Sequence, residues 1–288
     1  MPDGNTITAA AAAPALARTG RRRGLLDDAL LGAAAMLIVL SLWWLVALVV
    51  GYLRNVPFPT PWQTFLRLLD LLRGQSLLEF TIYRHLLDSL KRWGLGFGLA
   101  MFLGVAVGLL MGWSRLSERL FMPTVHVMQL IPGLAWIPVA ILLFGIGEKA
   151  TIFMISLTAF APVVINTVAG VKGVDELHVR AARMMGAGDK TLFLRVLLPG
   201  SLPHLLSGLR VGVANSWRVL VAAEMIVGTG VGLGYAILQA RWTLDYASSF
   251  VCLLVICAIG LVVERGIFGP LEKRTVERWG LSRNGAGK

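Results

Sequence analysis

The 288-residue sequence is poor in charged residues, which make up 15% of it, against about a quarter in soluble globular domains. Hydrophobic residues make up 56%, and the mean hydropathy is +0.73. The apolar residues are gathered in long runs. This surplus excludes a single water-facing domain and is typical of a membrane protein.

Cysteine and histidine are scarce, and their positions do not indicate a metal site. Cys252 and Cys257 share one apolar run, and five residues place them about 140° apart around a helix. The four histidines are scattered without metal-ligand spacing. We therefore interpret both cysteines as small buried hydrophobic residues and expect no bound metal.

Motifs for catalysis are also missing from the sequence. The chain has no Gly-x-x-x-x-Gly-Lys-Ser/Thr phosphate-binding loop, so it cannot hydrolyse ATP by that route. No Ser/His pair, paired aspartates or metal-spaced cluster supports an intramembrane enzyme. We expect a chain that is not an enzyme and binds no cofactor itself.

The charge that is present is strongly basic, with a net charge of +11 and a pI of about 10.5. No groove-reading motif accompanies it, so we do not expect nucleic acid as a partner. The basic residues lie between the apolar runs and at both ends. This distribution is typical of cytoplasmic segments that face an anionic lipid leaflet.

Six apolar runs each approach the ~20 residues that a helix needs to cross a bilayer. They predict an all-α membrane protein with about six transmembrane helices. If the N-terminus lies inside, about 17 basic residues fall on cytoplasmic segments and about six on the opposite ones, which predicts that both termini are cytoplasmic. The runs cover residues 29–50, 94–112, 120–145, 151–171, 209–227 and 250–268.

The two ends of the chain are expected to be flexible cytoplasmic tails, at residues 1–24 and 280–288. The arginines at 21–23 hint at a twin-arginine export signal. However, the apolar run that follows is too long for a signal sequence, so we predict a retained first span. Residues 25–84 would hold this span and an outer segment, and residues 85–279 the transport core.

The predicted outer segment opens with three prolines in five residues, Pro57, Pro59 and Pro61, which exclude a helix interior. The stretch 65–72 then repeats leucine and phenylalanine in a helical pattern. It predicts an amphipathic helix, either on the outer membrane face or packed against the bundle.

Small residues recur at every fourth position in the second span. Positions four apart share one face of a helix, so the stripe predicts close approach by another helix. Ordinary bundle packing explains it, and a tightly packed gate is the alternative. The stripe consists of Gly96, Ala100, Gly104, Gly108 and Gly112.

The segment 172–203 is the longest predicted cytoplasmic connection between spans. Asp175 and Glu176 open a helical stretch that Arg183 closes, an order that suits the helix dipole. Gly186 suits a left-handed helix end. A second helical piece is predicted at 190–198, closed by Pro199, so the segment is a docking element or a connector.

This segment resembles the loop of permeases from binding-protein-dependent ABC importers, whose form is Glu-Ala-Ala, three residues, Gly, nine residues, Ile-x-Leu-Pro. Here Arg180-Ala181-Ala182 is followed at the same spacing by Gly186 and by Val196-Leu197-Leu198-Pro199. Arg180 replaces the glutamate, which puts a specific salt bridge there in doubt.

The resemblance implies a type I ABC importer permease fold with a cytoplasmic coupling helix, which sits in a groove of a separate ATPase. The residues that it implies for ATPase coupling are Asp175, Glu176, Arg180, Ala181, Ala182, Arg183, Met184, Met185, Gly186, Ala187, Gly188 and Pro199.

The resemblance covers residues 85–279, and the stretches 129–147 and 217–235 are similar to the branch that handles nitrate, aliphatic sulfonates and taurine. It implies two copies of an ATP-binding ATPase subunit, a second permease copy or close relative, and an extracytoplasmic binding protein. The setting would be the bacterial inner membrane. Nitrate, a sulfonate, taurine, an aromatic acid or a heterocyclic vitamin precursor all remain open as solutes.

Polar residues inside predicted spans are candidates for the translocation path, because such groups are costly in a membrane. Arg218 would attract an anion; a buried network that bridges helices or protomers is the alternative. Arg218 and Glu224 lie on different helix faces, so each needs its own partner. The candidates are Asn166, Asn215, Ser216, Arg218 and Glu224.

Three prolines inside predicted spans, Pro132, Pro138 and Pro162, suit gate hinges or ordinary kinks. A self-contained carrier or channel is the main competing function. Such a protein needs no docking segment and often shows an internal repeat, which we do not find. The sequence therefore favours the importer permease.

Overall fold

A computed structural model describes residues 25–55 and 57–272, and this part of the chain is almost wholly helical. The predicted tails at 1–24 and 280–288 lie outside the described residues. The elements are α1 (Leu25–Arg54), α2 (Pro61–Leu72), β1 (Ser76–Leu77), β2 (Phe80–Thr81), α3 (Ile82–Trp113), α4 (Arg115–Leu130), a 3₁₀ turn (Gly133–Trp136), α5 (Ile137–Phe144), α6 (Glu148–Lys172), α7 (Glu176–Met184), α8 (Asp189–Leu192), a π turn (Phe193–Leu197), α9 (Leu198–Val227), α10 (Leu233–Trp242), α11 (Tyr246–Val263), a second π turn (Glu264–Phe268) and α12 (Gly269–Glu272).

Five helical segments in the described ranges are long and apolar enough to cross a membrane, and a bent pair makes a sixth. The prediction of an all-α membrane protein with about six spans is therefore confirmed. The five segments are Leu30–Arg54, Ile82–Trp113, Glu148–Lys172, Asp189–Val227 and Tyr246–Leu271.

The predicted third span, residues 120–145, is wrong as a single helix. α4 ends at Leu130, and the chain bends by 102° before it continues as the 3₁₀ turn and α5. Ile131 is extended, with ψ of 119°, and Pro132 follows it with ψ of 137°. A residue before proline is pushed out of the α region, which explains why the helix breaks here.

The small-residue stripe of α3 packs directly against α6, as predicted. A β-carbon built on Gly96 would lie 2.6 Å from Cγ2 of Ile155, and one on Gly108 would lie 2.6 Å from Cβ of Thr167. Both contacts join residues 59 positions apart. Because the offset stays constant along the stripe, α3 and α6 run in the same direction.

α6 packs on its other side against α9, which runs the opposite way. Gly170 meets Ser201 near one end of α6, and Asn166 meets Gly208 further along. α6 is thus the central helix of a three-helix core. Since α3 and α6 are parallel, the chain must cross back between them, so the bent α4–α5 pair is one broken span.

α7 lies at the same end of the core as the C-terminus of α3. Lys172, the last residue of α6, forms a 2.5 Å ion pair with Glu118 in the first turn of α4. Glu118 follows α3 closely in sequence. The connection that contains α7 therefore leaves the bundle at the end where α3 gives way to α4.

The predicted outer segment forms α2, which packs against the bundle rather than standing alone. Its N-terminus is fixed by a capping box, in which Thr60 and Gln63 bond each other's backbone N–H groups. Leu71 is fully buried in a cluster with Leu233 and Val251. The sequence left two placements open for this helix, on the outer membrane face or packed against the bundle. The structure shows the second, with α2 packed on α10 and α11.

α1 packs against the remainder of the chain at few points. The ring of Trp43 stacks on Phe250 with centroids 5.4 Å apart, and its Nε1 donates to the carbonyl of Pro59. Most other side chains of α1 are exposed. This helix therefore presents an apolar surface to lipid or to a neighbouring subunit.

The two cysteines differ in environment. Cys252 is buried as predicted, whereas Cys257 is exposed, so its expected burial is wrong for the single chain. The two side chains face different directions because five residues do not complete a helical repeat. Among residues 25–55 and 57–272, no group of three His, Cys, Asp or Glu side chains is placed to hold a metal ion.

Candidate functional site

The predicted coupling helix is present as α7, and its ends form as the sequence predicts. Asp175 caps the N-terminus by accepting the backbone N–H of Leu177 at 2.9 Å. At the other end Gly186 adopts φ of +83°. The N–H groups of Gly186 and Ala187 then bond the carbonyls of Arg183 and Ala182, which is a Schellman motif.

Arg180 stands where the permeases that this sequence resembles have glutamate. Its positive charge is compensated by an acidic residue of α7 itself. Its Nη2 lies 2.8 Å from Oε2 of Glu176, one helical turn earlier. Arg183 forms a similar pair with Asp189 at 2.5 Å, across the glycine turn. The charge inversion therefore leaves the coupling helix intact and places a mutually compensated pair on its surface.

α7 has one buried face and one exposed face. Ala182 is buried among Val171, Leu192 and Leu197, which fixes the helix against the end of the bundle. On the opposite face Met184 is 82% exposed, and Met185, the C-cap residue that follows it, is also 82% exposed. Leu177, seven residues before Met184, is 68% exposed. An exposed apolar strip of this kind is typical of a surface that binds a partner.

The predicted end of the second helical piece at Pro199 is wrong. α8, the π turn and α9 run on as one segment from Asp189 to Val227, through Pro199 and Pro203. The N–H of Leu198 bonds the carbonyl of Phe193, five residues back. Pro199 follows this π-type bond directly, and the helical segment continues through it into α9.

The break between α4 and α5 opens a cavity of about 340 Å³ against α6 and α9. Pro132 and Gly133 line it from the break, and Thr158 lines it from α6. From α9, both Asn215 and Arg218 line it. The structure thus brings two of the five predicted path residues into one cavity, next to Pro132.

Arg218 is held by uncharged groups only. Its Nη2 donates to Oδ1 of Asn215 at 2.7 Å, and its Nε donates to the carbonyl of Ala214 at 3.0 Å. No carboxylate within the described ranges lies at ion-pair distance from it. In contrast, Arg92 and Arg210, which also lie on spanning helices, pair with Glu224 and Glu264.

The other three predicted path residues lie outside this cavity. Asn166 donates to the carbonyl of Pro162 at 2.8 Å and lies against Gly208. Ser216 is buried and accepts a hydrogen bond from Nε1 of Trp93 at 3.0 Å. Glu224 is also buried, on another face of α9. Their part in a solute path stays a prediction.

Glu224 instead lies at the centre of a buried polar network, which joins α3, α9 and α10. Its Oε1 lies 2.9 Å from Nη1 of Arg92, and both of its oxygens lie 2.8 Å from the hydroxyl of Ser89. The N–H of Gly234 donates to Oε2 at 3.0 Å. This contact is the helix-bridging network that the sequence left open as the alternative role.

Arg92 extends the network to the loop before α10. It donates to the carbonyl of Val231 at 2.7 Å and to the hydroxyl of Thr229 at 2.8 Å. Its Nε lies 3.3 Å from Glu148 at the start of α6. One buried guanidinium therefore ties together the ends of α3, α6, α9 and α10 that lie opposite α7.

His85 completes the network in a fixed tautomer. Its Nδ1 accepts the N–H of Gly232 at 3.0 Å, so the proton of the neutral ring lies on Nε2. That Nε2 then donates to the carbonyl of Leu77 at 3.0 Å. The ring links the loop before α10 to the β1–β2 hairpin.

Sequence reasoning did not single out His85, Ser89 or Arg92 as a set. Their spacing of four and three residues places them on one face of α3, and Gly96 continues the same face. A signal was therefore present. The small-residue stripe that predicted helix packing extends into a polar stripe, which indicates a partner with buried polar groups.

Comparison with known proteins identifies the class. Residues 100–274 match the family described as "Binding-protein-dependent transport system inner membrane component". The chain belongs to this family, the membrane permeases of ABC importers, which are multi-pass inner-membrane proteins and not themselves catalytic. A chain from inward-facing structures of the MetNI methionine ABC transporter superposes with a TM-score of 0.55, at 20% identity, over 64% of this chain and 91% of that one. The fold is that of a type I importer permease.

Particular relatives are transporters of small solutes. The taurine transport system permease protein TauC of Escherichia coli is 35% identical, over 82% of this chain and 86% of that protein. The nitrate import permease protein NrtB of Synechocystis is 31% identical, over 82% and 85%. The bicarbonate transport system permease protein CmpB of Synechococcus elongatus is 32% identical, over 83% and 87%.

Proposed function

We propose that this chain lines the translocation path for a small anion, through the cavity at Arg218, and that a separate ATPase drives transport by docking on α7. The observation that carries the solute class is the environment of Arg218. A charged side chain inside a spanning helix is costly and is usually kept for function.

Arg218 is the cation that a passing anion would meet. Its hydrogen bonds to Asn215 and Ala214 hold the guanidinium in place without neutralising it. No described carboxylate pairs with Arg218, whereas Glu224 pairs with Arg92. The positive charge of Arg218 is therefore available to attract a negatively charged solute. Arginine also suits planar oxyanions, because its N–H groups bind two oxygens at once.

The solutes named for the relatives agree with this chemistry. Nitrate and bicarbonate are anions, and taurine carries a sulfonate group. We propose a solute of this kind: a small oxyanion, or a zwitterion with an oxyanion group. A binding protein outside the cell would deliver it and set most of the selection.

The coupling residues support the second half of the proposal. The exposed strip of Leu177, Met184 and Met185 faces away from the bundle, where a groove of the ATPase would receive it. ATP would bind to that partner, and this chain would bind no cofactor. Two permease copies would form one path, with two ATPase copies beneath them.

The orientation follows from the same proposal. The ATPase works in the cytoplasm, so α7 would lie there. With six crossings, both ends of the described chain fall on the side of α7. Both termini are then cytoplasmic, as the basic residues indicate.

Uptake by the assembled importer in proteoliposomes tests the role of Arg218. We expect Arg218→Gln to raise the KM for the transported anion roughly tenfold or more, because the positive charge that attracts the anion is lost. Arg241→Gln, an exposed arginine of α10 that stacks on Trp242, serves as the matched control. Unchanged KM in Arg218→Gln, with the variant folded, would contradict the anion path at this cavity.

A further inference from the structure

A second cavity, of about 640 Å³, opens on the outside of the bundle between α3 and the segment that follows the coupling helix. Its walls are Ala106, Leu109 and Leu110 on α3, with Phe193 at the start of the π turn. Trp113 closes the wall, and its ring packs edge-on against Phe193 with centroids 5.5 Å apart. The walls therefore offer a long apolar surface suited to a hydrocarbon chain.

Polar groups occur at only one end of this groove. Asp189 and Lys190 line it there, and the carboxylate of Asp189 is already paired with Arg183 at 2.5 Å. Lys190 is exposed and has no ion pair among the described residues. The charge that remains at this end of the groove is therefore positive.

The polar end lies where helices enter the membrane. Trp113 is the last residue of the span Ile82–Trp113, and Asp189 is the first residue of the span Asp189–Val227. Tryptophan is enriched at the boundary between membrane and water. Lysine there extends its amine toward the lipid headgroups.

We propose that this groove binds one anionic phospholipid, with an acyl chain along Leu109, Leu110 and Phe193 and the phosphate on Lys190. A basic group beside an apolar groove between membrane helices is the arrangement that recognises anionic headgroups. A zwitterionic lipid presents a compensating cation and gains less from Lys190. The charge at the mouth thus favours an anionic lipid over a neutral one.

Such a lipid would brace the coupling helix. Phe193 belongs to the π turn, and π turns occur mostly where a helix serves a function. Lys190 follows Gly188, the second glycine of the turn after α7. A lipid that spans α3 and α8 therefore fixes the joint through which a movement of α7 reaches α9.

Lipid retention by the purified permease–ATPase complex tests this binding site without relying on transport. The complex is incubated with equal amounts of phosphatidylglycerol and phosphatidylcholine, and retained lipids are counted by native mass spectrometry. We expect phosphatidylglycerol to be retained preferentially. Lys190→Gln should reduce its retention about fivefold, which corresponds to one basic contact near the membrane surface.

Two further variants separate the groove from general charge effects. Lys149→Gln removes an exposed lysine at the opposite end of α6 and should retain lipid as the native chain does. Ala106→Phe fills the groove from an exposed position and should lose the lipid. Equal retention of both lipids, or native retention in Lys190→Gln, would overturn the proposal. So would a disulfide between two copies carrying both Ala106→Cys and Cys257→Ser, because a protein surface would then cover the groove.

Discussion

Arg92 of α3 and Glu224 of α9 form an ion pair of 2.9 Å inside the bundle, where Arg92 is 3% exposed and Glu224 is fully buried. Three further groups bond the guanidinium, and Ser89 and Gly234 bond the carboxylate. A buried charge without its partner is strongly destabilising. The pair therefore holds α3, α9 and the loop before α10 in one arrangement.

Arg92→Ala should lower the free energy of unfolding by about 3–5 kcal/mol, because it leaves the carboxylate of Glu224 buried without its cation. Arg84→Ala on the same helix is the matched control. Arg84 also pairs with a carboxylate, Asp88 at 2.9 Å, but its side chain is 63% exposed, so its loss should cost at most about 1 kcal/mol. Unfolding in mixed detergent micelles measures both; equal losses would contradict the role of the buried pair.

The α3–α6 contact makes a second prediction. Gly96→Ala would place a β-carbon 2.6 Å from the side chain of Ile155 and 3.0 Å from the carbonyl of Ile152. The helices must separate to admit it, at a cost of about 1–3 kcal/mol.

Gly98→Ala, two residues along α3, meets nothing within 4 Å. It should be neutral or slightly stabilising, since alanine favours the helix over glycine. Thermal unfolding of the two variants in detergent gives the comparison. If Gly96→Ala were as stable as Gly98→Ala, the close packing of the stripe would be in error.

The exposed strip of α7 gives a third prediction. Met184→Glu should weaken binding of the ATPase subunit, because docking would bury a carboxylate in an apolar contact. Met184→Leu keeps the size and apolar character of the side chain and should bind as the native chain does. Titration of the permease with purified ATPase measures both affinities. Native affinity in Met184→Glu would remove Met184 from the contact.

The features that the sequence predicted well depend on residues near one another in the chain. α7 forms between Asp175 and Gly186 because its cap, charges and glycine turn are all local. The stripe from Gly96 onward predicted close helix packing for the same reason, since one helix face is read directly from the spacing.

The features that were missed depend on distant residues. The partner of Arg92 lies 132 positions away, so no local pattern identified a counter-charge for Glu224, and Glu224 became a path candidate. At Pro199 a local rule predicted a helix end that the structure does not have. A proline normally ends a helix, but here it falls in the first turn of α9, after a π turn that no local pattern predicted.

The most direct test of the account is whether an ATPase subunit co-purifies with this permease, and whether it depends on the turn after α7. Gly186 adopts φ of +83°, which a β-branched residue does not tolerate. Gly74, which lies between α2 and β1 and outside the coupling segment, also has a positive φ, of +97°, and open space around it. We predict that the ATPase co-purifies with the native chain and with a folded Gly74→Val, but is lost from a folded Gly186→Val. A native chain that moves anions into proteoliposomes without any ATPase would contradict the account and indicate a self-contained carrier.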